Sequence, residues 1–454
     1  MNHKRFLTYI FSVLIVLCFN TSYSLAESHY LTILHTNDIH GQLKPIEYDK
    51  KHHVGGFSAR AKLIKKFKSE NKNVLILDAG DIAQGTLFFK YFDGVPDVKF
   101  MSKIGYDAAE LGNHEFDKGT SVVEKMIESA NFPFLCANIR FVNNPELQKK
   151  VKPYIIKDYN GFKVGIIGLI AQDLKTLVTN SDDFEALDPV ETTRNIIKEI
   201  GSKVDLIVVL SHMGFKQDLN IAKEVPEINI IVGGHSHTFL KYPKRVFHGG
   251  TSTLIVQDGE FGVDLGHLDV KFENKHIEKY YYDLIPVDGK NEDRFFTEEI
   301  LKLSQKIDFQ ANQKIGEIKI PLETRKNKVR SQLTNSGSLI IQAMKAKCPD
   351  VDIYLLNAGA IRSNKYINAG FMTEADVFEL YPFEDAVVIA EIKGSELKSV
   401  LETSSRALPE LSGSFLQSLG LEYSVNTAGN PQLVSNDGLH ILKEGGRVFA
   451  ESTQ

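Results

Sequence analysis

A chain of 454 residues with 43% hydrophobic and 24% charged positions is ordinary globular material, long enough for two or three hydrophobic cores and too apolar to remain disordered. Its formal charge is -5 and no basic stripe runs along it, which argues against a nucleic-acid polymer as partner. An anionic small molecule would need local attraction from cations or arginines, because the global field would not steer it.

The chain opens with a basic start at residues 1–5, a mostly apolar stretch at 6–19 and the small-residue pattern Ser24-Leu25-Ala26. These read as a secretory signal peptide over residues 1–26, with an apolar stretch too short to span a bilayer comfortably. Cys18 follows Leu17, which is bulkier than a lipoprotein processing site usually tolerates. The expected product is a secreted or periplasmic protein that starts near Glu27 and is not held to a membrane. Removing residues 1–26 takes away Lys4 and Arg5 and no acid, so the formal charge moves from -5 to -7. Cys136 and Cys348 remain, one in each half, and are expected to be free and buried rather than part of a disulfide framework.

From Tyr30 to about Pro286, strand-like runs alternate with amphipathic stretches at 58–68, 120–130 and 189–200, the rhythm of an α/β layered domain. The alternating segments 268–272 and 277–282 predict a closing hairpin. The first domain is expected over 27–288 and a linker helix over 289–314, with Phe295, Ile300, Leu303 and Ile307 at helical spacing. A second, smaller α/β domain is expected over 315–454. Its predicted elements are helices at 336–347 and 395–404 and strands at 351–356 and 386–392.

Five apolar runs in the first domain empty into residues that bind metal ions. The runs at 31–36, 74–77, 108–111, 206–210 and 228–232 lead into Asp38 and His40, Asp81, Asn113 and His114, His212, and His235 and His237. Strands ending side by side in one sheet would gather these residues around one point, although almost two hundred positions separate the first from the last. Each piece alone is bland, since a lone histidine after a strand is usually an ordinary polar residue. The repetition of the pattern at every exit gives it weight. His52, His53, His248, His267, His276 and His440 lack that context. A carboxylate such as Asp81 can bridge two cations, and mixed nitrogen and oxygen donors suit zinc, manganese or iron better than calcium.

The strings Asp38-Ile39-His40-Gly41, Gly80-Asp81, Gly112-Asn113-His114-Glu115, Ser211-His212-Met213-Gly214 and Gly233-Gly234-His235-Ser236-His237 together resemble the calcineurin-like metallophosphoesterases. Gly112 to Asp117, reading G-N-H-E-F-D, narrows the resemblance to the secreted 5'-nucleotidase family. It implies a layered α/β/β/α domain holding two divalent cations, Zn, Mn or similar. Asp38, His40, Asp81 and His237 would hold one, and Asp81, Asn113, His212 and His235 the other. Some relatives carry Gln where this chain has His237, which bears on the metal preference of the first site.

Two cations about 3.5 to 4 Å apart can share a water, lower its pKa and clamp the oxygens of a phosphoryl group during in-line attack, which makes such a hydroxide the expected nucleophile. His114 is free to face the substrate, and Asp117 can accept its second N-H. The alternative for Asp117 is a cap on a helix beginning near Lys118.

In the second domain, Arg330, Asn335, Asn357, Arg362 and Phe383 match nucleotide-binding positions of the family: the arginines for phosphate or ribose, Asn357 for sugar or base, Phe383 for stacking. Taken singly, the arginines read as surface charges and Phe383 as core. By the same resemblance the domains change their mutual angle, with 292–313 as pivot. Relatives continue past Gln454 through a segment carrying a second base-clamping aromatic, so a C-terminally shortened domain gripping the base from one side is expected.

The function expected is removal of the 5'-phosphate from nucleotides, with nucleotide sugars or diphosphates as further substrates. A 2',3'-cyclic nucleotide phosphodiesterase with 3'-nucleotidase activity is the neighbouring alternative. An inactive nucleotide- or metal-binding scaffold is the alternative from another class, disfavoured because a retired site has no need of clustered acids and imidazoles.

Overall fold

The computed structural model describes residues 28–47, 53–178, 181–273, 276–383, 386–435 and 440–450. The signal peptide expected over 1–26 and the hairpin tip at 274–275 lie outside the described residues.

Two six-stranded sheets face each other in the first domain. In the first, the spatial order is His276–Pro286, Asp264–Glu273, His29–Thr36, Val74–Asp78, Ala108–Glu110 and Phe134–Leu135. In the second it is Lys244–His248, Thr251–Val256, Ile230–Gly233, Leu206–His212, Phe162–Ile170 and Tyr154–Tyr159. The central strands of each sheet are parallel, so both of their faces are covered and their sequences are nearly unbroken apolar runs. Every residue of Leu206–His212 is buried.

Register brings the strand ends level. Thr36 pairs with Asp78 and Asp78 with Ala109 in one sheet, while Ser211 pairs with Gly233 and His212 with Ile170 in the other. The loops that follow therefore emerge along one rim.

Leu31, Ile33, Leu75 and Leu77 meet Val164, Val208, Leu210 and Val232 between the sheets. Helices Phe57–Glu70, Val95–Ile104 and Thr120–Ser129 cover the outer face of the first sheet, and Pro189–Ile200 and Phe215–Glu224 that of the second. The result is the expected α/β/β/α layering. The expected linker helix forms as Arg294–Ala311, and Phe296, Ile300, Ile307 and Ala311 bury into the same core as Phe57 and Met101. It is thus fastened to the first domain along its length.

The second domain is smaller, with a core of Leu322, Val329, Ile341, Tyr354, Leu356, Leu380 and Phe415. Its helix Asn335–Lys347 is capped by Thr334, whose hydroxyl accepts the Gly337 N-H. Strand Tyr354–Asn357 pairs antiparallel with Leu416–Leu419. Two expectations fail here. Residues 386–392 form no strand, because among the described residues no neighbouring strand takes their backbone groups, and Val387, Val388, Ile389 and Ile392 are exposed. Cys348 is free but only half-buried at the end of its helix, whereas Cys136 is free and buried as expected.

The sheets approach each other closely at Gly168, where a Cβ would lie 2.1 Å from Glu110 Oε2 and 2.5 Å from Leu135 Cβ. Gly168→Ala is expected to destabilise the protein by about 1–3 kcal/mol through overpacking, read as a lower urea midpoint. A wild-type midpoint would show that the sheets part without cost.

Candidate active site

The loops leaving the two sheets bring the ligand candidates together. Donor atoms of Asp38, His40, Asp81 and His237 lie within 4.8 Å of one another, as do those of Asp81, His212 and His235. Asp81 belongs to both groups. Asn113 joins the second, with Oδ1 2.8 Å from His235 Nδ1. All seven residues singled out in the sequence therefore meet at one rim, some from the first sheet and some from the second.

The backbone is bent to achieve this. Asp38, His40, Asp81, His235 and His237 have φ between 49° and 70°, left-handed values that side-chain-bearing residues rarely adopt. Such conformations cost on the order of 1 kcal/mol each and persist where surrounding bonds impose them. The loops also interlock tightly, since a Cβ on Gly112 would sit 2.1 Å from Asp81 Oδ1.

Glu115, absent from the sequence expectations, is the brace. Fully buried, its carboxylate accepts N-H groups from Asp81 at 3.0 Å, Ala83 at 2.9 Å and Gly112 at 2.6 Å, tying the Asp81 loop to the Asn113 loop. Burial pushes its pKa up to about 7, with the Asp81 charge adding to the rise. Its signal was available: a charged residue inside the Gly112 to Asp117 string that no other feature claims. Glu260 was also missed. It contacts His237 Nδ1 and follows the apolar run 254–256, a sixth strand exit ending in an acid.

The donor set fits divalent cations. Burial drives His40 down to about 3 and His235 to about 4, leaving neutral imidazoles with a lone pair to give. His212 and His237 are driven the other way, both to about 10. Burial opposes their charge, but Asp81 outweighs it at His212, and Asp38 with Glu260 outweighs it at His237. The acids around each thus favour positive charge at this spot, which a divalent cation would also supply.

His114 stands beside the cluster without joining it. Its Nδ1 donates to Asp117 Oδ2 at 2.8 Å, and its ring lies 5.2 Å from that of His40. Burial opposes a charge on it, yet Asp81 and Asp117 raise its pKa to about 9. Asp117 is no helix cap: the following helix begins at Thr120 behind Gly119, and Asp117 closes the short turn His114–Phe116.

The second domain reaches this rim. The Phe383 ring lies 6.5 Å from that of His114, and the Arg362 guanidinium stands 5.0 Å over Phe383. Arg330 flanks Gly413, and the Asn357 amide flanks the facing Gly359. The charges of Arg330 and Arg362 both feel Glu260 of the first domain. Lys90 and Glu374 fasten the domains with an ion pair of 2.7 Å. The Asn335 side chain accepts the Glu323 N-H at 2.8 Å and donates to the Pro321 carbonyl at 2.7 Å.

Glu115→Gln is expected to lower the melting temperature and to shrink the gap between the melting points with and without chelator. One amide N-H would face a backbone N-H, costing about 1–3 kcal/mol. An unchanged gap would remove Glu115 from the support of the cluster.

Residues 31–239 match the calcineurin-like phosphoesterase family model, and residues 314–448 match that of the 5'-nucleotidase C-terminal domain. The chain is 32% identical to a snake venom 5'-nucleotidase of Crotalus adamanteus over 89% of its own length and 75% of that protein's. It is 30% identical to the trifunctional nucleotide phosphoesterase protein YfkN of Bacillus subtilis over 88% of its length, but spans only 29% of that protein. The solved structure of a 5'-nucleotidase precursor from Thermus thermophilus superposes with a TM-score of 0.78 at 33% identity, covering 93% of this chain and 86% of that one. With both domain models matched and a relative covered over three-quarters of its length, the chain belongs to the 5'-nucleotidase family of metal-dependent phosphoesterases.

Proposed function

We propose that this protein removes the 5'-phosphate from nucleoside monophosphates, with the phosphate at the first domain's rim and the nucleoside end in the cleft toward the second. The observation that carries the reading is the pair of donor clusters sharing Asp81, with the His114–Asp117 pair and Phe383 beside them. In it, Asp38, His40, Asp81 and His237 hold one divalent cation, and Asp81, Asn113, His212 and His235 a second. Zinc and manganese suit these donors. Bound there, two such ions supply Lewis acidity and an acidified water.

The chain's own residues do the rest. Asp117 orients the His114 ring through Nδ1 and favours its charged form, so the Nε2 proton faces the phosphoryl oxygens and the leaving 5'-oxygen. Phe383 offers a ring face to the base, and Arg362 and Arg330 place cationic forks where ribose or phosphate oxygens lie. Asn357 bonds to the sugar or base. Asn335 belongs to the same nucleotide-binding set while also tying down the backbone at 321 and 323. The same forks would take the second phosphate of a nucleotide diphosphate or nucleotide sugar. Domain limits of 27–288, 289–314 and 315–454 accord with this division. Export to the periplasm or medium fits the basic and apolar start of the chain, and among the described residues no helix is long and apolar enough to cross a membrane.

Phosphate release from AMP and from 2',3'-cyclic AMP, measured on one sample, tests the proposal. AMP should be the faster substrate, and faster consumption of the cyclic ester would transfer the assignment to a cyclic phosphodiesterase. His114→Ala should keep its metal content and lose turnover by roughly 10²- to 10⁴-fold. Near-normal turnover in the metal-loaded variant would remove His114 from the chemistry.

A further inference from the structure

His237 differs from His40 and His212 in what stands behind it. His40 Nδ1 faces the Ala83 carbonyl at 3.4 Å and His212 Nδ1 the Ala79 carbonyl at 2.6 Å, both neutral groups, while His235 Nδ1 lies 2.8 Å from Asn113 Oδ1, itself one of the donor candidates. His237 Nδ1 instead lies 2.5 Å from Glu260 Oε2. Its Nε2 points the opposite way, 3.3 Å from Asp38 Oδ1 and 3.1 Å from His40 Nε2.

Glu260 arrives there on a turn held by the segment that carries Asp38. Asn37 Oδ1 accepts the Asp258 N-H at 3.0 Å, and Asn37 Nδ2 donates to the Gly259 carbonyl at 2.6 Å. Next in the chain, the Phe261 N-H donates to the Asp38 carbonyl at 2.7 Å. Phe261 has φ 62°, an unusual value for a bulky residue, so these bonds impose the turn against local preference. The strand exit that delivers Asp38 to the cluster also fixes the acid behind His237.

We propose that Glu260 is a positioning residue for the first cation site. Its carboxylate accepts the Nδ1 proton of His237, fixes the tautomer whose Nε2 lone pair faces Asp38, His40 and Asp81, and strengthens that nitrogen as a donor. Because a backbone carbonyl stands behind His212 where Glu260 stands behind His237, the effect falls on one of the two cations. The inference rests on the assignment of His237 to the first site.

Titrating metal-free full-length protein with Mn²⁺ alone, by calorimetry and by electron paramagnetic resonance of the coupled ion pair, tests it. Glu260→Ala should weaken one of the two equivalents by roughly 10- to 100-fold and leave the other at wild-type affinity. The coupled signal should then appear only at correspondingly higher Mn²⁺. Glu260→Gln keeps an oxygen for the Nδ1 proton without the charge and should fall between Glu260→Ala and wild type. Being nearly isosteric, it also carries the test should the alanine variant fail to fold. Two wild-type equivalents in these variants, or equal weakening of both, would overturn the role of Glu260. His237→Ala separates this from failure of the site assignment: retention of both equivalents there sinks the assignment itself. Loss of one, with the Glu260 variants unaffected, sinks only the role of Glu260.

Discussion

Asp81 is a fully buried carboxylate shared by two groups of donor atoms, and much of the first domain is arranged to put it there. Carboxylates and imidazoles crowded out of water are costly unless opposite charge joins them. At His212 and His237 the neighbouring carboxylates accordingly favour a charged imidazole. Two divalent cations, as proposed, would supply that charge, and their binding would offset the left-handed backbone at Asp38, His40, Asp81, His235 and His237.

The layered fold follows from the same demand. Neither sheet alone supplies both clusters: Asp38, Asp81 and Asn113 leave the first, His212, His235 and His237 the second. Facing the sheets through an apolar layer, with level strand ends, lets one rim collect donors from both. Glu115 then joins two loops of the first sheet, while Asn37 and Asp38 tie down the turn bearing Glu260. The second domain adds the aromatic face of Phe383 and the cations Arg330 and Arg362, which the acidic molecule as a whole does not offer an anionic substrate.

What the sequence shows plainly is whatever period and strand exit encode. The helices at 189–200 and 120–130, the closing hairpin and the gathering of the seven candidates are legible because apolar runs end where those residues begin. Residues 386–392 misled because β-branched composition reports fit to a sheet, not the presence of a partner strand. The helix-start position of Asn335 carries no record that its amide ties down the backbone at 321 and 323. Glu115 and Glu260 stayed hidden because a supporting carboxylate is defined by what it touches, and those contacts join segments 32 and 23 positions away.

The most direct measurement is phosphate release from AMP followed on metal-stripped protein as Zn²⁺ or Mn²⁺ is restored, with bound metal counted on the same samples. The account predicts no turnover without metal, two ions per chain at saturation, and activity that rises with the second ion. Full activity in metal-free protein, or saturation at a single ion, would contradict the shared role of Asp81.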